Sequence, residues 1–474
     1  MRLTRVRRHT IRLVFPVFLS LVILFGGSSV IDLASRLWLS FVSLLILFVT
    51  IPIAARKHWG PEAMVGAILS SLWVIWSFLQ QIPLPARIWQ SLGDRSAIEN
   101  GLSLLDLSTT SMMPISLSPD GTRLSLIGIL PPLAVLVSLI ALGWRYGASR
   151  LDWAIPMLGA GSALLGLVQI LGGNTDQLYF YEFTNRGLPV GVFANVNHQA
   201  CFLLMCLPFV AASIGQLRRD WASGDGDHAK AILLATIACT ILVGVVAAGS
   251  VAGYAMLIPV LVLSVLLARK PKASGRAPIA SPAIVVGATL AAVVLVVFSP
   301  IIDGLGVTSF DNSEMSRLGI WQVSGKILSD HWLAGTGPGS FADVYRLYEN
   351  PDAVTATYAN HAHNDYLEAM IEYGLPGALI VIVSVALILT LFVRVWTQQQ
   401  IENRRLKRAA STALLIVLLH SLVDYPVRTP AIACLFATCF AILILSSDDK
   451  SKRRPIRKKR PDVFSSEDNR RLII

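Results

Sequence analysis

His361-Ala-His-Asn-Asp-Tyr-Leu-Glu-Ala-Met-Ile-Glu-Tyr-Gly374 runs directly into Leu375-Pro-Gly-Ala-Leu-Ile-Val-Ile-Val-Ser-Val-Ala-Leu-Ile-Leu-Thr-Leu-Phe-Val-Arg-Val-Trp396. The first half is dense in titratable groups. The second is one apolar run of about 20 residues, the length that crosses a bilayer as a helix. The polar half belongs to a longer stretch, Asp303 to Tyr373, which lies between two apolar runs. A helix entering the membrane therefore carries a cluster of polar chemistry at its mouth, and the rest of the chain is best understood as its scaffold.

The composition agrees. Of 474 residues, 54% are hydrophobic and only 15% charged, with a mean hydropathy of +0.63. Such values exclude an ordinary soluble domain and point to an all-α polytopic membrane protein. Twelve spans are expected, at about 11–30, 37–55, 61–80, 124–144, 152–172, 195–216, 231–249, 252–268, 283–302, 375–396, 409–425 and 429–446. With that alternation, 31 of the 40 Lys and Arg fall on one side. The bias follows the positive-inside rule and predicts cytoplasmic termini. The net charge of +11 is thus accounted for by topology and anionic lipid, and nucleic acid is not an expected partner. The five cysteines sit in apolar runs and imply packing, not disulfides or metal.

The domain reading follows. Residues 1–302 form a membrane domain of nine spans. Residues 303–374 form a helical periplasmic loop domain between spans nine and ten. Residues 375–446 hold the last three spans, and 447–474 is a basic, disordered cytoplasmic tail.

Inside the loop, Ser313 is placed to cap a helix through Arg317, Trp321 and Ile327. The Gly335–Gly339 stretch breaks that helix and starts another near Ser340, where free N–H groups suit an anion. A third helix is expected from His363, with Asp365, Glu368 and Glu372 on one face, ending at Gly374. His361-x-His363-x-Asp365 has the spacing of metal ligands on a strand. The pattern that follows is helical, so no metal is expected. Two further outer segments carry polar groups: Arg186 to His198, with Asn195 and Asn197, and Arg428, for which Asp424 is the simplest ion-pair partner.

Together these segments resemble the O-antigen ligase and polymerase family of bacterial envelope glycosyltransferases. Arg186-Gly-Leu-Pro-Val-Gly-Val-Phe-Ala-Asn-Val-Asn197-His198 resembles one family segment. Arg317-Leu-Gly-Ile-Trp321, with Gly335-Thr-Gly-Pro-Gly-Ser-Phe341, resembles a second. His363-Asn364 followed by Gly374-Leu-Pro-Gly377 resembles the signature histidine motif, and His420-Ser-Leu-Val-Asp424-Tyr-Pro-Val-Arg428 resembles a fourth. Where the family often carries a Ser-Arg pair, this chain reads Gly249-Ser250-Val251-Ala252, and Arg186 or Arg428 is left to substitute.

The resemblance implies a metal-independent transferase without cofactor in the bacterial inner membrane, with a periplasmic active site. Its donor would be a glycan on undecaprenyl diphosphate. Its acceptor would be lipid A–core or another lipid-linked glycan. Partners would be the bilayer itself and polysaccharide-export or chain-length proteins. His363 and Arg317 would be catalytic. Arg186, Asn197, His198, Trp321, Asn364 and Arg428 would bind substrate. The imidazole has an ordinary pKa near 6.5, suited to a general base, and arginine matches phosphate oxygens. Transfer to a protein acceptor, or transport of an envelope precursor, are the alternative readings.

Overall fold

The computed structural model describes residues 5–31, 34–106, 112–148, 150–172, 176–269, 317–353, 359–398 and 403–445, with a few isolated positions besides. The expected ninth span, Ser313 with the start of the loop domain, and the tail lie outside them.

The chain is almost wholly helical. From the N-terminus come α1 (Arg5–Phe25), α2 (Ala34–Ala54) and α3 (Pro61–Leu79). A short outer segment follows, with strand β1 (Pro83–Leu84), helices α4 (Ala86–Gln90) and α5 (Ser96–Leu104), and strand β2 (Met113–Pro114). β1 and β2 pair antiparallel, Pro83 opposite Pro114. Then come α6 (Pro119–Gly128), α7 (Leu130–Gly143), α8 (Leu151–Leu171), α9 (Val196–Ala222), α10 (His228–Ala247) and α11 (Val251–Ala268). After the undescribed segment stand α12 (Arg317–His331), α13 (Phe341–Tyr348), α14 (Asp365–Thr397), α15 (Arg404–His420) and α16 (Pro430–Ile444).

Among the described residues, eight helices are long and apolar enough to cross a membrane, and Leu13–Phe25 and Pro430–Ile444 are shorter apolar helices. The protein is an all-α polytopic membrane protein. α9 is its axis: it is buried along nearly its whole length and packs against α8, α10, α11 and α15. Phe48, Ile382 and Val383 instead point outward, as lipid-facing side chains do. Four of the five cysteines are buried in the packing, as expected, but Cys239 is exposed.

Two boundaries differ from expectation. The eleventh span was expected to reach residue 425, yet α15 stops at His420. Ser421 to Asp424 turn away, and the 3-10 turn Pro426–Arg428 leads to Pro430 at the start of α16. α14 begins at Asp365 and not at His363, because the Asn364 side chain caps it by accepting from Tyr366 N and Leu367 N.

Gly374 does not end α14 but kinks it. Its backbone sits at φ 60 and ψ −151, open only to glycine. The kink frees carbonyls that a membrane helix cannot leave bare. Thr336 N–H donates to the Ile371 carbonyl, and Gly337 N–H and Gln80 Nε2 donate to that of Glu372. Trp76 Nε1 donates to the carbonyl of Tyr373. The glycine-rich loop and α3 thus lock the kink from two sides. A Cβ on Gly335 would lie 2.4 Å from the Glu372 oxygen, which explains that glycine.

The connections after α1, α3, α8 and α15 gather with residues 333–340 and 359–364 at one end of the bundle. Ala194 N–H donates to Gly27 O, Ala431 N–H to Gly26 O, Leu117 N–H to Thr336 O and Asp365 N–H to Ser421 O. That end carries the candidate site.

Candidate active site

His363 is the centre. It stands in the left-handed region at φ 47, uncommon for a residue with a side chain. Strain of this kind persists only where surroundings enforce it. Here Asn364 Nδ2 is held by Leu422 O on one side, and Trp321 Nε1 donates to Ala362 O on the other. Trp321 lies one turn after Arg317 on α12, so this bond docks the arginine's helix on the histidine turn. Trp321 and Asn364, expected to contact substrate, are both partly buried and each also holds the histidine turn through one hydrogen bond.

His363 Nδ1 lies 3.2 Å from Asp424 Oδ1. The imidazole is 24% exposed, while Asp424 is fully buried. The other carboxylate oxygen, Oδ2, faces His420 Nε2 at 3.7 Å and His198 Nε2 at 4.0 Å. Burial would push the Asp424 carboxyl up. The hydrogen bond from His363 and the nearby His420 and His198 outweigh that, and hold it well below the usual carboxylate range. Tyr425 packs among three imidazoles, with ring centroids 4.2 Å from His361, 4.8 Å from His363 and 4.9 Å from His198. Burial raises its phenol above the ordinary value, so it stays neutral.

His198 was expected to bind substrate. It is 1% exposed and turned inward to Asp424. Asn195 caps α9 by accepting from Asn197 N–H, and Asn197 is half-buried beside it. Arg186 sits on the neighbouring loop, donating from Nη2 to Glu182 O at 3.1 Å.

The pair expected between Arg428 and Asp424 is not formed. Arg428 Nη1 is 2.6 Å from Glu372 Oε2 and 3.5 Å from Glu368 Oε1, and Nε is 3.7 Å from Asp365 Oδ1. The three acids expected on one helix face are therefore gathered by a single guanidinium. Burial would lower the Arg428 pKa; Glu368, Glu372 and Asp365 override it and raise it. Glu372 Oε1 also accepts from Gly339 N–H at 2.7 Å. The amide expected to greet an anion at the start of α13 is thus taken by a carboxylate of the protein itself. His361 Nδ1 bonds Glu368 Oε1 at 2.8 Å, which ties this cluster to the histidine turn. His361, His363 and Asp365 face three different partners.

Residues 232–382 match the family described as O-Antigen ligase. That segment is similar to the O-antigen ligase family. No curated protein matches the chain significantly. The matched segment covers α10 to the first half of α14, including Arg317, Trp321 and His363. It supports a glycosyltransferase-like role in envelope polysaccharide biosynthesis. Arg186, Asp424 and Arg428 lie outside the matched segment, yet Asp424 and Arg428 complete the site.

Sequence reasoning missed Asp424 as the partner of His363, and His420 beside it. The signal was present: His420 and Asp424 are one helical turn apart and close a span. What the spacing could not show is which distant imidazole that turn meets.

Proposed function

We propose that the protein transfers a glycan from an undecaprenyl-diphosphate carrier to a saccharide hydroxyl, of lipid A–core or of another lipid-linked glycan, at the periplasmic face of the inner membrane. The observation that carries this reading is the partly exposed His363 bonded to the buried, ionised Asp424. With Nδ1–H donating to Asp424, Nε2 keeps its lone pair and takes the proton from the acceptor hydroxyl. The hydroxyl oxygen bonds to the anomeric carbon as the bond from that carbon to the diphosphate oxygen breaks. Asp424 stabilises the imidazolium that forms, as an orienting carboxylate does in hydrolase triads. Arg317 and Arg186 are assigned to the charge that develops on the leaving diphosphate.

The surface-glycan gel of a deletion strain tests the reading. Single repeat units identify a polymerase; free lipid-linked polymer with bare lipid A–core identifies a ligase. An unchanged profile contradicts both. Complementation with Arg317→Lys is expected to fail, since a point charge does not reproduce the bidentate fork.

A further inference from the structure

A cavity of 810 Å³ opens between α2, α3, α6, α7 and the last three helices. At the end where the loops converge it is lined by Ser29, Arg36, His361, and Arg428 with its carboxylates Asp365, Glu368 and Glu372. One to three helical turns further along it is lined by Leu133, Leu136, Ile388, Phe436 and Phe440. It is thus polar at one end and apolar at the other.

Its two arginines are not equivalent. Arg428 is matched by three carboxylates. Arg36 has one hydrogen bond, from Nη1 to Ser29 O at 3.0 Å. Its Nε is buried with no hydrogen-bond partner, and no carboxylate lies within ion-pair distance among the described residues. The guanidinium rests on Gly128, where a Cβ would stand 2.6 Å from Nη2. Among the described residues Arg36 thus has no paired countercharge, and a cation so placed at the polar mouth of a cavity inside a membrane protein is costly unless an anion joins it. An inorganic anion would leave the apolar length unfilled.

We propose that Arg36 anchors the phosphate-bearing head of a lipid whose chain occupies this cavity. Arg36 lies outside the segment that matches the ligase family. Taking that lipid as the polyprenyl-diphosphate carrier rests on the transferase reading above.

The test is binding to the full-length protein in nanodiscs, with glycan-free polyprenyl diphosphate as the probe, and polyprenol and inorganic diphosphate as the other arms. Arg36→Gln is expected to weaken polyprenyl diphosphate about tenfold or more and to leave polyprenol binding unchanged, while inorganic diphosphate competes poorly. Equal affinity in wild type and Arg36→Gln overturns the proposal. So does inorganic diphosphate competing as well as the lipid, which marks a free-phosphate site. Should Arg36→Gln lose polyprenol too, Arg36→Lys is measured in its place. It is expected to show a severalfold loss for the diphosphate alone, and no loss overturns the proposal. His363→Ala separates the two ideas. Binding kept by Arg36→Gln with transfer lost in His363→Ala sinks only the anchor. Binding lost in Arg36→Gln with transfer kept in His363→Ala sinks only the transferase.

Discussion

Asp424 and Arg428 stand one helical turn's worth of sequence apart and organise opposite charge arrangements. Asp424 is a buried anion facing three imidazoles at 3.2, 3.7 and 4.0 Å. Arg428 is a cation facing three carboxylates at 2.6, 3.5 and 3.7 Å. One of those imidazoles, His363, reaches the surface, and an imidazole is a group that can take up a proton. The guanidinium keeps its charge, because its carboxylates raise its pKa further. A centre that can accept a proton suits chemistry; a centre of permanently matched charge suits holding elements together. Arg428 joins the start of α14 to the turn before α16, and Glu372 extends that junction to the glycine-rich loop through Gly339.

The comparison breaks most sharply at Asp424. Asp424→Asn keeps the shape but not the charge, so the imidazolium of His363 loses its support. Glycan transfer is expected to fall by about 10³–10⁴, with the protein still present in the membrane at normal level by immunoblot. An equal fall in protein level would make Asp424 structural. Arg428→Gln is expected to do the opposite. It strands buried carboxylates, at a cost of about 3–5 kcal/mol, and should show as lost protein and a lower melting temperature in detergent. Normal stability with lost transfer would move Arg428 into the chemistry.

The lock on the helix kink gives a smaller effect. Gly335→Ala forces a Cβ against the Glu372 carbonyl at φ 74, and about 1–3 kcal/mol of stability is expected to go. His331 offers a pH test away from both centres. Burial lowers its pKa to about 4, below the ordinary 6.5. Its folded pKa is depressed, so the neutral form favours folding above pH 6.5. That contribution fades as pH falls toward 4, by at most about 3 kcal/mol. Wild type is therefore expected to lose thermal stability over that window, and His331→Gln to lose less; parallel curves would contradict this. Trp321→Phe removes the bond to Ala362, at about 1 kcal/mol, together with part of the indole's packing, and a modest fall in transfer is expected.

Much of the fold was legible because bilayer physics writes it plainly. Long apolar runs separated by polar turns have few alternative meanings, and α2, α3, α9 and α14 fall where the runs do. His363 was legible from its place at the mouth of a span. The pairings were not. Asp365, Glu368 and Glu372 could be put on one face by spacing, but nothing local indicates that Arg428, more than 50 positions on, collects them. The glycine-rich loop was legible only in part, for a related reason. Its glycines permit close approach, here to the backbone of a kinked helix that only the three-dimensional packing brings beside them.

The most direct measurement is single-turnover transfer by the purified full-length protein, given a polyprenyl-diphosphate-linked glycan and a saccharide acceptor. His363→Ala should bind the donor as wild type does and form no product. Product formed by His363→Ala at the wild-type rate would contradict the assignment of this imidazole as the base.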